Sequence, residues 1–239
     1  MKRRSFLQQG ATLGAGMALL AGIPMDLLAA YRKRVSANDK IGVALIGANG
    51  MGWANLTSML KLPEVTCVAL CDVDDAVLQR RKSELEKLQQ QPALYKDYRQ
   101  MLANKDVDIV IIATPDHWHC LMLADACAAG KDVYVEKPAS NSIGEATLMV
   151  AAANQHQRMV QVNQWQRSQQ HFKDAIAFVH SGKLGSIAQT KAWMYNGHGI
   201  LPPAADAPVP AGVDYNMWLG PAPNRTFNPN RFHYNFRWY

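Results

Sequence analysis

Four short stretches of this sequence hold side chains and backbone suited to gripping a phosphate, holding a ribose or moving a proton. Gly47-Ala48-Asn49-Gly50-Met51-Gly52 sets three glycines within six residues. This is close to the G-x-G-x-x-G pattern that lets backbone turn tightly and approach a pyrophosphate. Gly47 suits the turn, and Gly52 suits close packing of a helix on a strand. Asn49 replaces the middle glycine; Gly50 beside it restores freedom, and Asn accepts positive φ better than most residues. A diphosphate would lie against N–H groups at a helix N-terminus, so Gly47, Asn49, Gly50, Met51 and Gly52 are candidate cofactor residues. Asp72 follows Gly52 by twenty residues, the spacing of the acid that holds ribose hydroxyls in dinucleotide-binding domains. A carboxylate there repels a 2′-phosphate and favours NAD over NADP, although Arg80 and Arg81 on the next helix are within reach. The competing role for Asp72 is a helix N-cap, which Asp74 fills equally well.

The other two stretches are Ala113-Thr114-Pro115-Asp116-His117-Trp118-His119 and Glu136-Lys137-Pro138. Each follows an apolar run, at the edge where open α/β sheets bind ligands. A lysine at that edge is placed to touch a substrate hydroxyl or a nicotinamide. Each stretch also reads as a plain turn; a shared sheet edge is what joins them into one site.

Positioning these residues requires strands that alternate with helices. Ile41–Ile46 is a continuous apolar run, as in a strand buried on both faces. Trp53, Leu56, Met59 and Leu60 fall on one helix face, and the helix stops before Pro63. Strands are expected over 65–70, 107–112, 132–135 and 159–162. Helices are expected over 74–90, 118–129 (closed by Gly130) and 143–153. That order demands crossovers and a mostly parallel, doubly wound sheet. The fold class expected is α/β: a Rossmann domain over 38–163, then an incomplete α+β second domain over 164–239. In the latter, Phe172–Val179 reads as a helix and Ser186–Tyr195 as a strand with one wet face. From Gly197 onward, prolines punctuate a long irregular segment, and the chain stops in the aromatic run Arg237-Trp238-Tyr239, which reads as a truncated domain.

The 239 residues suffice for one or two domains. Residues 1–37 carry six basic side chains against one acid, Asp26, and so account for all but one unit of the net charge of +6. The excess charge is therefore not a nucleic-acid face, and nucleic acid is not an expected partner. Lys2-Arg3-Arg4-Ser5-Phe6-Leu7-Gln8 is a twin-arginine motif, and Ala11–Ile23 is apolar but too short to span a bilayer. Export to the periplasm with cleavage after Ala30 or Ala37 is expected, leaving no integral membrane domain; an uncleaved anchor or a basic tail is the alternative. The twin-arginine route carries folded proteins, which suits an enzyme loaded with a cytoplasmic cofactor. Cys67, Cys71, Cys120 and Cys127 form no C-x-x-C pair and read as free thiols rather than disulfides or a metal site. No metal is expected.

Taken in order, Ile-Gly-Ala-Asn-Gly-Met-Gly, Cys71-Asp72-Val73-Asp74, Ala-Thr-Pro-Asp-His-Trp-His and Val135-Glu136-Lys137-Pro138 resemble the Gfo/Idh/MocA oxidoreductases, the family of glucose–fructose oxidoreductase and inositol dehydrogenase. Ser181–Ile187 resembles that family's entry into its second domain, and Asp214–Pro223 a segment common in its exported members. The resemblance implies an NAD(P)-dependent oxidoreductase acting on a secondary alcohol of a sugar or cyclitol, homo-oligomeric when full length. It places Lys137 between nicotinamide and substrate, orienting the reacting hydroxyl or assisting its proton transfer. It adds Thr114, Pro115, His119 and Glu136 to the cofactor residues, and Gln164 and Arg167 as substrate contacts. An Asp-x-x-x-His pair that completes proton transfer in the family would lie beyond Tyr239. His171, His180, His198 and His233 are poor substitutes, since none has an Asp four residues before it. Two alternatives remain open: an NAD-dependent glycosidase of the same fold, and a non-catalytic dinucleotide-binding fragment.

Overall fold

The computed structural model describes residues 40–194 and 201–235. The expected twin-arginine segment with its two expected cleavage positions, His198 and the terminal aromatic run lie outside them. The first strand, β1 (Ile41–Ile46), forms where the apolar run predicts it. It feeds helix α1 (Gly50–Met59), then β2 (Val65–Cys71), α2 (Asp75–Lys87), β3 (Ala93–Tyr95) and α3 (Tyr98–Leu102). Then come β4 (Ile109–Ile112), a 3-10 turn (Asp116–Trp118), α4 (His119–Ala128), β5 (Asp132–Val135), α5 (Ile143–Gln155) and β6 (Val160–Val162).

The six strands run parallel in the order β3-β2-β1-β4-β5-β6. Chain order reverses between β1 and β4, the switch point where such sheets open a crevice at their carboxyl ends. Side chains alternate across the sheet. Val43, Leu45 and Ile111 pack with Leu56 of α1 and Val77, Leu78 and Leu85 of α2. Ala44, Ile46, Val110 and Ile112 face Tyr98, Met101, Met122, Leu123 and Met149 of α3, α4 and α5. The result is a helix–sheet–helix sandwich whose core strands exclude water from both faces.

Two elements of the nucleotide-binding domain went unpredicted. The strand β3 has three residues, too few for a periodic signal, and α3 has five; the Asp97 side chain caps α3 by accepting from Arg99 N. After β6, a 3-10 turn (Trp165–Ser168) leads to α6 (Gln170–His180), which buries none of its residues. Residues 186–194 form no strand, contrary to the alternating pattern; no described segment pairs with them, and Trp193 and Met194 are exposed. Alternation alone cannot make a strand, because its N–H and C=O groups need a neighbouring chain.

Residues 201–235 return across the sheet's carboxyl edge, with a short helix, α7 (Tyr215–Leu219). Asp74 and Val213 form an antiparallel bridge. Tyr215, Trp218, Leu219 and Phe227 gather against Val73 in a small apolar cluster. Among the described residues, no helix is long and apolar enough to cross a membrane.

Candidate functional site

The glycine-rich loop turns between β1 and α1. Gly47 has φ +83, and a Cβ on it would come within 2.6 Å of the Ala113 carbonyl oxygen. On Gly52 a Cβ would overlap the Gly47 carbonyl oxygen, so this glycine serves the packing of α1 on β1. Asn49 precedes α1 in ordinary extended conformation, φ −108. It has no need of the positive φ that an asparagine tolerates; Gly50 takes that geometry, φ +45, with nothing within 4 Å of where its Cβ would be. The loop therefore presents an open backbone face at a helix N-terminus. Its outer side is braced by α2: Arg80 and Arg81 each donate to Asn49 Oδ1 at 3.2 Å. Arg81 also donates to the Ala48 carbonyl at 3.0 Å and lies over the Trp53 ring.

Asp72 directly follows β2 and is buried. Its Oδ2 accepts from Ala48 N at 2.8 Å and its Oδ1 from Asp74 N at 3.1 Å. The N-cap of α2 is Asp74, which accepts from Ala76 N and Val77 N, so Asp72 is not spent on capping. Burial pushes its carboxyl above the ordinary range, against the two N–H donors that hold it down.

Glu136 directly follows β5 and is also buried. Its Oε1 accepts from Asn55 Nδ2 at 2.7 Å and from Asn163 Nδ2 at 2.5 Å, and its Oε2 accepts from Lys137 N at 3.1 Å. Asn163 Oδ1 in turn accepts from the Tyr134 hydroxyl at 2.6 Å. Each group in this buried network has a partner, the condition for a polar cluster to fix geometry. It joins α1, β5 and the end of β6, and it fixes the backbone from which exposed Lys137 projects. The Lys137–Pro138 peptide is cis.

His119 is fully buried. Its Nδ1 lies 2.8 Å from the Pro138 carbonyl oxygen and its Nε2 3.0 Å from that of Thr114. It ties the loop after β4 to the loop after β5, and it does not face the cleft.

These parts surround one cavity of about 580 Å³. Gly47, Asn49, Gly50, Met51, Asp72, Thr114, Pro115, Glu136 and Lys137 all line it. Gly52 and His119 stand behind its wall as packing and bracing residues. Gln164 and Arg167 are exposed beyond β6 and do not line it. The sequence reading missed Asn55, Asn163 and Tyr134, whose partnership joins residues far apart in the chain. It also missed Met217, Trp218, His233 and Tyr234, which wall the cavity from the C-terminal segment. The prior signals were the Asp214–Pro223 motif, which contains Met217 and Trp218, and His233 as a histidine set aside for proton transfer; Tyr234 had none.

Among the described residues no group of three or more His, Cys, Asp and Glu could hold a metal ion. The four cysteines are free; Cys67, Cys71 and Cys127 are buried and Cys120 partly so.

Residues 41–164 match the family model described as oxidoreductase family, NAD-binding Rossmann fold (Gfo/Idh/MocA), and residues 186–239 match the oxidoreductase family's C-terminal alpha/beta domain. A glycosyl hydrolase family 109 protein from Saccharopolyspora erythraea is 30% identical over 202 residues, which is 77% of this chain and 44% of that protein. A second from Shewanella sp. (strain ANA-3), glycosyl hydrolase family 109 protein 2, is 32% identical over 65% of this chain and 38% of its own length. Among solved structures, myo-inositol 2-dehydrogenase from Lactobacillus plantarum superposes with TM-score 0.57 at 26% identity, over 62% of this chain and 43% of that one. Apo scyllo-inositol dehydrogenase from Lactobacillus casei gives TM-score 0.56, also at 26% identity and over the same shares of the two chains. The chain spans less than half the length of the curated relatives it matches.

Proposed function

The chain belongs to the Gfo/Idh/MocA oxidoreductase family, with its NAD-binding Rossmann domain, and on that footing we propose that the protein oxidises or reduces a secondary alcohol of a sugar or cyclitol. The observation that carries this reading is that Lys137, Asp72 and the open face of the Gly47–Gly50 loop border one cleft. That cleft fits a nicotinamide dinucleotide. The loop is exposed at Gly50, with open space where a side chain would be, and Asp72 directly follows the neighbouring strand. The cofactor, when bound, supplies hydride acceptance or donation.

The chain's own residues do the rest. The loop N–H groups hold the diphosphate. A carboxylate offers about four acceptor sites; Asp72 uses two on Ala48 and Asp74 and offers the others to ribose hydroxyls, which favours NAD over NADP. Lys137 Nζ orients the reacting hydroxyl and takes or returns its proton. Glu136, held by Asn55 and Asn163, keeps the Lys137 backbone in register with the loop. The inositol dehydrogenase neighbours support a cyclitol substrate.

The test is Lys137→Ala across a panel of sugars and cyclitols. The variant is expected to bind NADH as wild type does and to lose about 100-fold or more in turnover; full turnover would refute the role. The glycosyl hydrolase family 109 relatives support a second reading, a glycosidase that uses transient oxidation to ease loss of the leaving group. Sugar release from an aryl glycoside without net NADH formation would favour it. For residues 1–37 we propose twin-arginine export; an unchanged location of the Arg3→Lys/Arg4→Lys protein would oppose it.

A further inference from the structure

Two buried carboxylates line the cleft, Asp72 after β2 and Glu136 after β5. In the sheet, β1 and β4 stand between those two strands. With the adenosine ribose on Asp72 and the diphosphate on the loop, the nicotinamide half of a dinucleotide reaches toward β4 and β5, where Glu136 and Lys137 stand. Other acids near the cleft meet basic side chains. Asp75 Oδ1 lies 3.0 Å from Lys96 Nζ, and Asp74 Oδ2 lies 3.0 Å from His233 Nε2. Glu136 is held differently. Its donors are the Asn55 amide, the Asn163 amide and the Lys137 backbone N–H, and none of the three carries a charge.

Three N–H groups donating to one side chain are the partners of an ionised carboxylate, which only accepts. Neutral donors orient that charge without cancelling it. The cluster also keeps it in place: Asn163 Nδ2 donates to Asn55 Oδ1 at 3.1 Å, and the Tyr134 hydroxyl donates to Asn163 Oδ1 at 2.6 Å. Glu136 therefore cannot swing out of the wall without breaking bonds to both asparagines. Burial also removes most of the water that would screen it. Lys137, by contrast, is exposed, so its ammonium is screened by solvent.

We propose that Glu136 is a fixed negative charge that favours the oxidised, cationic nicotinamide over the reduced, neutral one, and so biases the protein toward reduction of a carbonyl. The inference rests on the cleft being a dinucleotide site. A weakly screened charge attracts a cationic ring and has no such pull on a neutral one. Affinity for NAD therefore rises relative to NADH, and the reduction potential of the bound couple falls by the same free energy. In the favoured direction the substrate's carbonyl carbon receives hydride, two electrons with one proton, and its oxygen receives a proton from Lys137. The alcohol forms as the ring regains its positive charge. Asn55 and Asn163 act through Glu136 and are positioning residues.

The test is the ratio of the NAD and NADH dissociation constants for the purified full chain, with NADH titrated by fluorescence and NAD by competition against it. Glu136→Gln and Glu136→Met remove the charge, and Glu136→Asp keeps it. Thermal melts report which variants fold, and either neutral variant alone suffices. The neutral variants are expected to raise the ratio of NAD to NADH dissociation constants about ten-fold, equivalent to roughly 30 mV in the potential of a bound two-electron couple. Glu136→Asp is expected to stay within about three-fold of wild type. A purely structural role would weaken both cofactors alike and leave the ratio where it was. A change of less than about three-fold in a folded neutral variant, or a shift in Glu136→Asp as large as in Glu136→Gln, would overturn the role of the charge while leaving the cleft reading in place. A wild-type chain that binds neither NAD nor NADH would overturn the cleft reading and this inference with it.

Discussion

Asp72→Asn separates the two tasks that the structure gives this carboxylate. One task is internal: Oδ2 accepts from Ala48 N at 2.8 Å and Oδ1 from Asp74 N at 3.1 Å. The other is proposed, the grip on the adenosine ribose. Asn retains one oxygen for the buried Ala48 N–H and turns an amide toward Asp74 N. The lost acceptor should cost about 1 kcal/mol of stability, or roughly 2–4 °C in melting temperature for a chain of this size. The effect on cofactor choice should be larger. A 2′-phosphate set about 4–5 Å from the carboxylate would cost roughly 3–4 kcal/mol per pair of unit charges at an effective dielectric constant of about 20. Arg80 and Arg81, already at Asn49, offset part of that. Wild type should therefore bind NADH about 100-fold more tightly than NADPH, roughly 2.7 kcal/mol, and Asp72→Asn should bring the two within about ten-fold. The assay is fluorescence titration with each reduced cofactor, beside a thermal melt. Because burial pushes the Asp72 carboxyl up, its charge is lost at a higher pH than an ordinary aspartate's, and the wild-type preference should shrink as pH falls through that titration. Equal wild-type affinity for NADH and NADPH, or an unchanged ratio in the variant, would refute the reasoning and leave Asp72 as a loop brace.

Two further outcomes follow from the packing. Gly52→Ala puts a Cβ onto the Gly47 carbonyl oxygen and within 2.9 Å of Ala113 Cβ; such overpacking costs about 1–3 kcal/mol and should lower the melting temperature by roughly 2–12 °C. An unchanged melt would mean that α1 does not pack on β1 as described. Burial pushes the Cys67 thiol up to about 12 and raises those of Cys71, Cys120 and Cys127 as well. Iodoacetamide under native conditions should therefore label partly exposed Cys120 slowly and the three buried thiols only after unfolding. Mass spectrometry showing early labelling of Cys67 would contradict the core.

The strands and helices of the nucleotide-binding domain were legible because each carries its own periodic signal. Ile41–Ile46 and Ile109–Ile112 read as apolar runs, and Leu56 and Met59 as a helix face. Gly130 and Asp74 mark a helix end and a helix start through local backbone and side-chain chemistry. The glycine loop, Asp72 and the Glu136–Lys137 pair were legible as spacing, and the sheet brings them to one edge. Three-residue β3 and five-residue α3 were too short to carry a period. The strand expected over 186–195 had the right alternation but no described neighbour to bond with.

What the tertiary structure alone decided is which side chains face the cleft. By motif, His119 and Glu136 looked like cofactor contacts and Gln164 and Arg167 like substrate contacts. In the folded chain His119 joins two backbone carbonyls behind the wall. Glu136 lines the cavity yet spends its carboxylate on Asn55, Asn163 and its own neighbour's N–H. Gln164 and Arg167 stay outside. Local sequence specifies dihedral preference and hydrophobic period, both properties of a few successive residues. Burial of a histidine, pairing of Asn55 with Asn163 and the return of Trp218 to the cavity that Gly50 lines depend on contacts between segments about a hundred residues apart or more, or on the walls around a side chain. The residues that propose a chemistry were written in order along the chain; the cavity that holds them together, and the C-terminal segment that lines part of it, came only with the fold.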